Sequence, residues 1–155
     1  MIFTRITGRR INRKTDYAEF LTCFSELKKR GIAVCVHLIN GLPGETRADM
    51  LESVKTVSTL EPWAIKLHLL HVLRGTVCEK MYEAGECRTF EKDEYVSLVC
   101  DELEYISKDI VMQRLTGDGA RADLVAPLWS LKKFELLNAI DKEMARRGSF
   151  QGMRT

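Results

Sequence analysis

The sequence has little of what would place the chain in a membrane, in an oxidising compartment or on nucleic acid. Its 155 residues contain no apolar run approaching the roughly 18 that a membrane span requires, so no membrane partner is expected. The five cysteines, at 23, 35, 78, 87 and 100, are odd in number and share no short repeated spacing. That excludes a disulfide framework or a zinc knuckle read from spacing, predicts no metal ligands, and fits a reducing cytoplasm. Cys23, Cys35 and Cys100 lie among apolar neighbours and are expected as small core residues. Charge of one sign is missing too: 24 Lys+Arg against 22 Asp+Glu leave a net +2, which supplies no global field for a polyanion. The imbalance is local. Arg5, Arg9, Arg10, Arg13 and Lys14 precede the first acid, Asp16, with neither a secretory apolar core nor a small-residue cleavage site. Residues 1–14 therefore read as a divergent or disordered arm.

What remains is an ordinary domain composition with a clear alternation of elements. Asp16, followed three residues later by Glu19, opens a helix whose stripe is Tyr17, Phe20, Leu21, Phe24 and Leu27, ended by Gly31. Ile32 to Ile39 is almost unbroken apolar sequence rich in β-branched residues and predicts a strand buried on both faces. Asn40 to Thr46 is a loop, with Thr46 capping a helix that carries Met50, Leu51, Val54, Val57 and Leu60. A second strand is expected from Trp63 to Leu70, a short helix from about Thr76 to Ala84, a longer one from about Phe90 to Ser107, and a third strand from Ile110 to Leu115. Ser130 is expected to cap a last helix with Leu131, Phe134, Leu137, Ile140 and Met144 inward, closing near Gly148 before a frayed tail at 149–155.

Strands alternating with helices imply crossover connections and a parallel sheet. The fold class is α/β, with about three βα units over residues 15–148 and a C-terminal helical extension. A full (β/α)₈ barrel needs about 200 residues or more, so any barrel here is incomplete. Three parallel strands leave two edges of unpaired backbone, from which homo-oligomerisation is expected.

Ligands of parallel sheets bind beyond the carboxyl ends of the strands. That rule selects the loops Asn40–Thr46, His71–Gly75 and Thr116–Gly119, with His68 and Arg114 at strand ends. His68, His71, Arg114 and Asp118 are the candidate catalytic groups, each weighed against a structural role: backbone-bonded histidines, and a bridge between Arg114 and Asp118 that braces the loop. His37 and Arg74 are weaker candidates, the latter for an anionic group. The loop Gly41-Leu42-Pro43-Gly44-Glu45-Thr46 is not a Walker loop, because Glu45 stands where a phosphate cradle needs lysine.

The run Leu38 to Thr46 resembles the segment after the fifth strand of radical-SAM enzymes, where a G-x-I-x-G motif leads into GLPGET; His37 stands in place of the first glycine. Lys66 to Thr76 resembles the sixth strand of the same superfamily. Gln113 to Asp118, Val125 to Lys133 and Leu137 to Asp141 resemble the C-terminal signature of a bacterial Fe-S oxidoreductase branch, similar to the radical-SAM domain of the Elongator catalytic subunit. The resemblance covers roughly Ile11 to Gly152. It implies a partial TIM-type barrel in which Ile39, Asn40, Gly41, Leu70 and His71 face the adenine of S-adenosylmethionine. In a complete protein a 4Fe-4S cluster would cleave that cofactor to a 5′-deoxyadenosyl radical. The cluster needs a CxxxCxxC-like loop, and neighbouring cysteines here are nine or more positions apart. The resemblance therefore implies the C-terminal part of an oxidoreductase, not competent alone. The alternative is a non-catalytic nucleoside-binding or protein-interaction module. The substrate would be a small molecule or RNA; Lys132, Lys133, Arg146 and Arg147 form a solvated face able to guide RNA.

Overall fold

In the computed structural model of the chain, residues 17–117, 119 and 121–155 are described. Asp16, the expected first helix cap, and Asp118, one of the candidate catalytic groups, lie outside them, as does the arm at 1–14.

The order is helix α1 (Tyr17–Lys29), strand β1 (Cys35–Asn40), α2 (Arg47–Thr59), β2 (Ala64–Leu69), β3 (Val72–Leu73), α3 (Val77–Glu83), α4 (Lys92–Tyr105), β4 (Val111–Arg114), β5 (Leu124–Ala126), a 3₁₀ turn (Leu128–Leu131) and α5 (Lys133–Arg147). Strands β1, β2 and β4 form a parallel sheet in that spatial order. Parallel neighbours cannot be joined by tight turns, and the intervening helices α2 and α4 make the crossovers. Thr46 caps α2 as expected: its side chain accepts from the Asp49 N–H, while the Asp49 carboxylate accepts from the Thr46 N–H. A second, antiparallel pair, β3 with β5, was not foreseen; it joins the loop after β2 to the segment after β4.

The core lies on one side of the sheet. Val36 and Leu38 of β1, and Ile65, Leu67 and Leu69 of β2, meet Val54 and Val57 of α2 and Tyr95, Leu98 and Val99 of α4. Helix α5 adds Leu136 and Ile140 against this layer. The first strand is therefore not buried on both faces, and it begins at Cys35 rather than Ile32. Cys35, His37 and Ile39 point away from the helices, and His37 is exposed. An unbroken apolar run hides this because Ile39 and Cys35 are apolar without being fully covered.

Other expectations give way for physical reasons. Ser130 lies inside the 3₁₀ turn, where its hydroxyl donates to the Pro127 carbonyl at 2.8 Å, so it cannot cap α5. Phe134, placed in the core by helical spacing, is 81% exposed, because the buried face of α5 runs through Leu136 and Ile140, about 120° or more from it at 100° per residue. Cys23 is exposed and Cys35 half-exposed, leaving only Cys100 of the three in the core. The tail does not fray: Gln151 Nε2 donates to the carbonyls of Ser107 and Ile110, both at 2.8 Å, and Arg154 pairs with buried Glu104 at 2.6 Å. Arg147 is no part of a solvated face. It bridges Glu143 and Asp101, at 2.7 and 2.6 Å, with its side chain 19% exposed. No helix among the described residues is long and apolar enough to cross a membrane. Among the described residues three parallel strands are present, and they do not close into a barrel.

Candidate functional site

The carboxyl ends of β1 and β2 lie side by side, since Ile39 is in register with His68 and Asn40 with Leu69. The pairing continues one step further: the Leu70 N–H donates to the Asn40 carbonyl at 2.9 Å. Loop Asn40–Thr46 and loop Leu70–Gly75 therefore leave the sheet together. The loop after β4 closes on the end of β2 and the loop that follows it. A Cβ built on Gly117 would stand 2.4 Å from His68 Cε1 and 2.7 Å from His71 Cε1, and one on Gly119 would stand 2.9 Å from His71 Nδ1. Only glycine lets this backbone pass over the two rings.

His68 and His71 meet edge to face with centroids 5.6 Å apart. His68 Nδ1 lies 2.9 Å from the Leu69 carbonyl. A carbonyl only accepts, so Nδ1 carries a proton and its N–H is committed to Leu69. Of the sequence candidates, Ile39, His68, His71 and Leu70 thus gather at one strand-end cluster. Arg114 ends β4 on the same sheet. Arg74 stands in solvent, its backbone N–H donating to the Asp123 carbonyl at 2.8 Å.

Asn40 is placed differently. Its side chain turns to the helices, 2% exposed, and its Nδ2 donates to Glu102 Oε2 at 2.8 Å. Glu102 is wholly buried in α4, and burial pushes its carboxyl up to about 8. The pair fixes the end of β1 from behind. Gly41 follows with φ +88°, and a Cβ there would lie 2.9 Å from the Phe90 ring. Both facts require glycine, and both concern the loop's own packing.

Sequence reasoning missed four contributors: Glu102, Phe90, Lys66 and Gln113. Lys66 could have been found from alternation, as it stands two residues before His68 in a strand. Gln113 could not. The β2–β4 register slips between Ile65 and Lys66, so that Met112 pairs with Ile65 and Arg114 with Lys66. This bulge leaves Gln113 and Arg114 both opposite Lys66 and re-aims side chains. Gln113 reaches the open face, where the Cys35 thiol donates to its Oε1 at 3.5 Å.

A separate cavity of about 330 Å³ lies on the outer side of the first loop, between Gly41–Arg47 and Gly85–Phe90. Glu45 lines it, its carboxyl pushed up to about 7 by burial and by the negative charge of Asp49.

The iron-sulfur cluster is testable on the thiols present. Cys23 is on α1, Cys35 on β1, Cys78 in the short α3 with Cys87 following it, and Cys100 is buried in α4. Among the described residues no three His, Cys, Asp or Glu side chains group closely enough to hold a metal, so these cysteines do not fit a cluster held by three thiolates.

A one-sided parallel sheet with its polar groups gathered at the carboxyl strand ends defines an α/β domain. The chain belongs to the radical-SAM C-terminal domain family, whose model matches residues 62–146. It is 46% identical over 146 residues to YtqA of Bacillus subtilis, covering 94% of this chain and 45% of YtqA. YhcC of Escherichia coli is 31% identical over 142 residues, covering 92% of this chain and 46% of YhcC. The chain thus spans a little under half the length of these relatives. A tRNA uridine(34) acetyltransferase of Methanocaldococcus infernus is more distant, 25% identical over 125 residues, covering 79% of this chain and 23% of that protein. The fold is similar to that of Elp3 from Methanocaldococcus infernus lacking residues 1–46, with TM-score 0.80 at 19% identity over 97% of this chain and 35% of that one.

Proposed function

We propose that this chain supplies the cofactor-facing C-terminal side of a radical-SAM barrel and is not competent alone. The observation that carries the reading is the sheet's asymmetry. Helices cover one face of β1, β2 and β4, while the other presents Ile39, His68 and the Gly117 loop, as the interior wall of a barrel would. Ile39 and Leu70, both half-buried at adjacent strand ends, supply an apolar wall for the adenine of S-adenosylmethionine, and His71 stands beside them. Reductive cleavage of the cofactor needs a cluster that the thiols of this chain do not hold, so the whole activity, an Fe-S oxidoreductase of the Elongator-like branch, belongs to the complete protein. Five free thiols are in keeping with a cytoplasmic site of action.

A second reading, an interaction module, is favoured by Trp63, Ile32 and Val111. They are 52%, 49% and 46% exposed around the amino-terminal foot of the same sheet. Strand β1 and strand β4 each have one edge paired to no strand among the described residues, through which two copies would associate.

Calorimetry with S-adenosylmethionine separates the readings. The parent chain is expected to give saturable heat that is lost in Ile39→Asp, which puts a charge on the apolar wall without straining the backbone, and in Gly41→Val. No heat from the parent at millimolar cofactor would overturn the cofactor reading in favour of the interaction module.

A further inference from the structure

The middle of the open sheet face carries a row of basic side chains for which the cofactor reading has no use. His37, Lys66 and Arg114 are successive register partners across β1, β2 and β4. Strands lie about 4.8 Å apart, so the three Cα atoms span only about 10 Å. The step below holds Cys35, Ala64 and Val111, and the step above holds Ile39 and His68. None of these is an acid. The Lys66 ammonium forms no ion pair among the described residues. The effect on His37 shows the sign of the local field: burial, then the positive charges of Lys66, His68 and Arg114, hold its imidazole below the ordinary value. The bulge in β4 brings Arg114 opposite Lys66, where a regular ladder would bring Gln113. Cationic groups side by side on one face make the potential there positive, which favours an anion lying over them.

We propose that this row binds a phosphate group of the molecule that lies over the open face, with the Lys66 ammonium and the His37 imidazole as its donors and Arg114 adding to the field. A phosphate suits donors arriving from two strands, because its oxygens point out tetrahedrally in several directions, whereas the two of a carboxylate lie in one plane. The inference rests on the reading that this face is the interior of the assembled barrel, and it adds the chemical class of what lies there.

The test uses the full chain, titrated at constant ionic strength with inorganic phosphate, methyl phosphate, dimethyl phosphate and acetate. Amide and imidazole NMR shifts are followed alongside S-adenosylmethionine calorimetry of the same samples. Phosphate is expected to shift His37 and Lys66 saturably and to bind about tenfold more tightly than acetate. Loss of a charge-assisted contact in Lys66→Met should weaken it about tenfold, and Lys66→Arg should restore most of that. Preference for methyl phosphate identifies a small-molecule monoester, and equal binding of dimethyl phosphate a nucleic-acid backbone; both support the proposal. Acetate binding as tightly as phosphate, shifts centred elsewhere, or a Lys66→Met variant that binds phosphate like the parent would each overturn it. Should Lys66→Met fail to fold, the absence of phosphate shifts in the parent remains decisive. S-adenosylmethionine carries no phosphate. Cofactor heat without phosphate binding sinks this inference alone, whereas phosphate binding without cofactor heat sinks only the cofactor assignment.

Discussion

Replacing Glu102 by Gln should remove a pH dependence built into the core. The carboxyl is wholly buried and accepts from Asn40 Nδ2, and burial raises it from 4.5 to about 8. The Asn40 bond and the charge of Arg47 oppose that rise, and the charge of Asp101 adds to it. The folded state therefore keeps a proton that the unfolded chain releases. Where the unfolded state binds fewer protons, stability falls as pH rises. The loss begins as pH passes 4.5, ends above about 8, and amounts to about 1.4 kcal/mol per unit, or about 5 kcal/mol at most. That is a large share of the 5–15 kcal/mol typical of a whole domain. Gln keeps an oxygen for Asn40 and has no proton to lose. Guanidinium unfolding of both proteins from pH 5 to 9 should show a parent curve that falls and a Glu102→Gln curve that is flatter, so that the variant gains on the parent with each unit of pH. Parallel curves would refute the reasoning, because the carboxyl would then be titrating as it does in water.

Gly41→Ala should destabilise the fold by about 2 kcal/mol, read as a lower denaturant midpoint, since an L side chain at φ +88° is strained and its Cβ must displace the Phe90 ring. Gly117→Ala should also lower the denaturant midpoint and should move the ring signals of both His68 and His71, because the added carbon meets both imidazoles at once; unchanged ring signals would mean that the loop does not cover them. Anaerobic reconstitution with iron and sulfide should leave no visible chromophore that survives gel filtration, whereas several irons retained per chain would show that the scattered thiols can assemble a cluster.

The parts of this architecture set by local chemistry were legible from the residues. Thr46 with Asp49 three positions on, the glycine closing α5, and the turn-dense loop after β1 each mark an element boundary through backbone needs that the side chain itself meets. Burial was less legible. Cys35 and Ile39 read as core because periodicity cannot tell a strand covered on both faces from one whose second face waits for other structure. Phe134 was misplaced because it stands six residues before Ile140, about 120° round the helix from that buried position, while Leu136, four before, shares its face. At the site, the glycines and histidines were visible as unusual residues at strand ends. Glu102 and Gln113 were not, since their positions depend on which helix packs behind Asn40 and on a one-residue bulge, neither of which has a local sequence signal.

The most direct test of the cofactor-facing assignment is to map S-adenosylmethionine on the chain by amide NMR shifts during titration. Saturable shifts should concentrate at Ile39, Leu70, His71 and Gly117, on the open side of the strand ends. Shifts centred on Glu45 and Arg88, in the outer cavity, would put the ligand on the wrong side of the first loop and contradict the assignment.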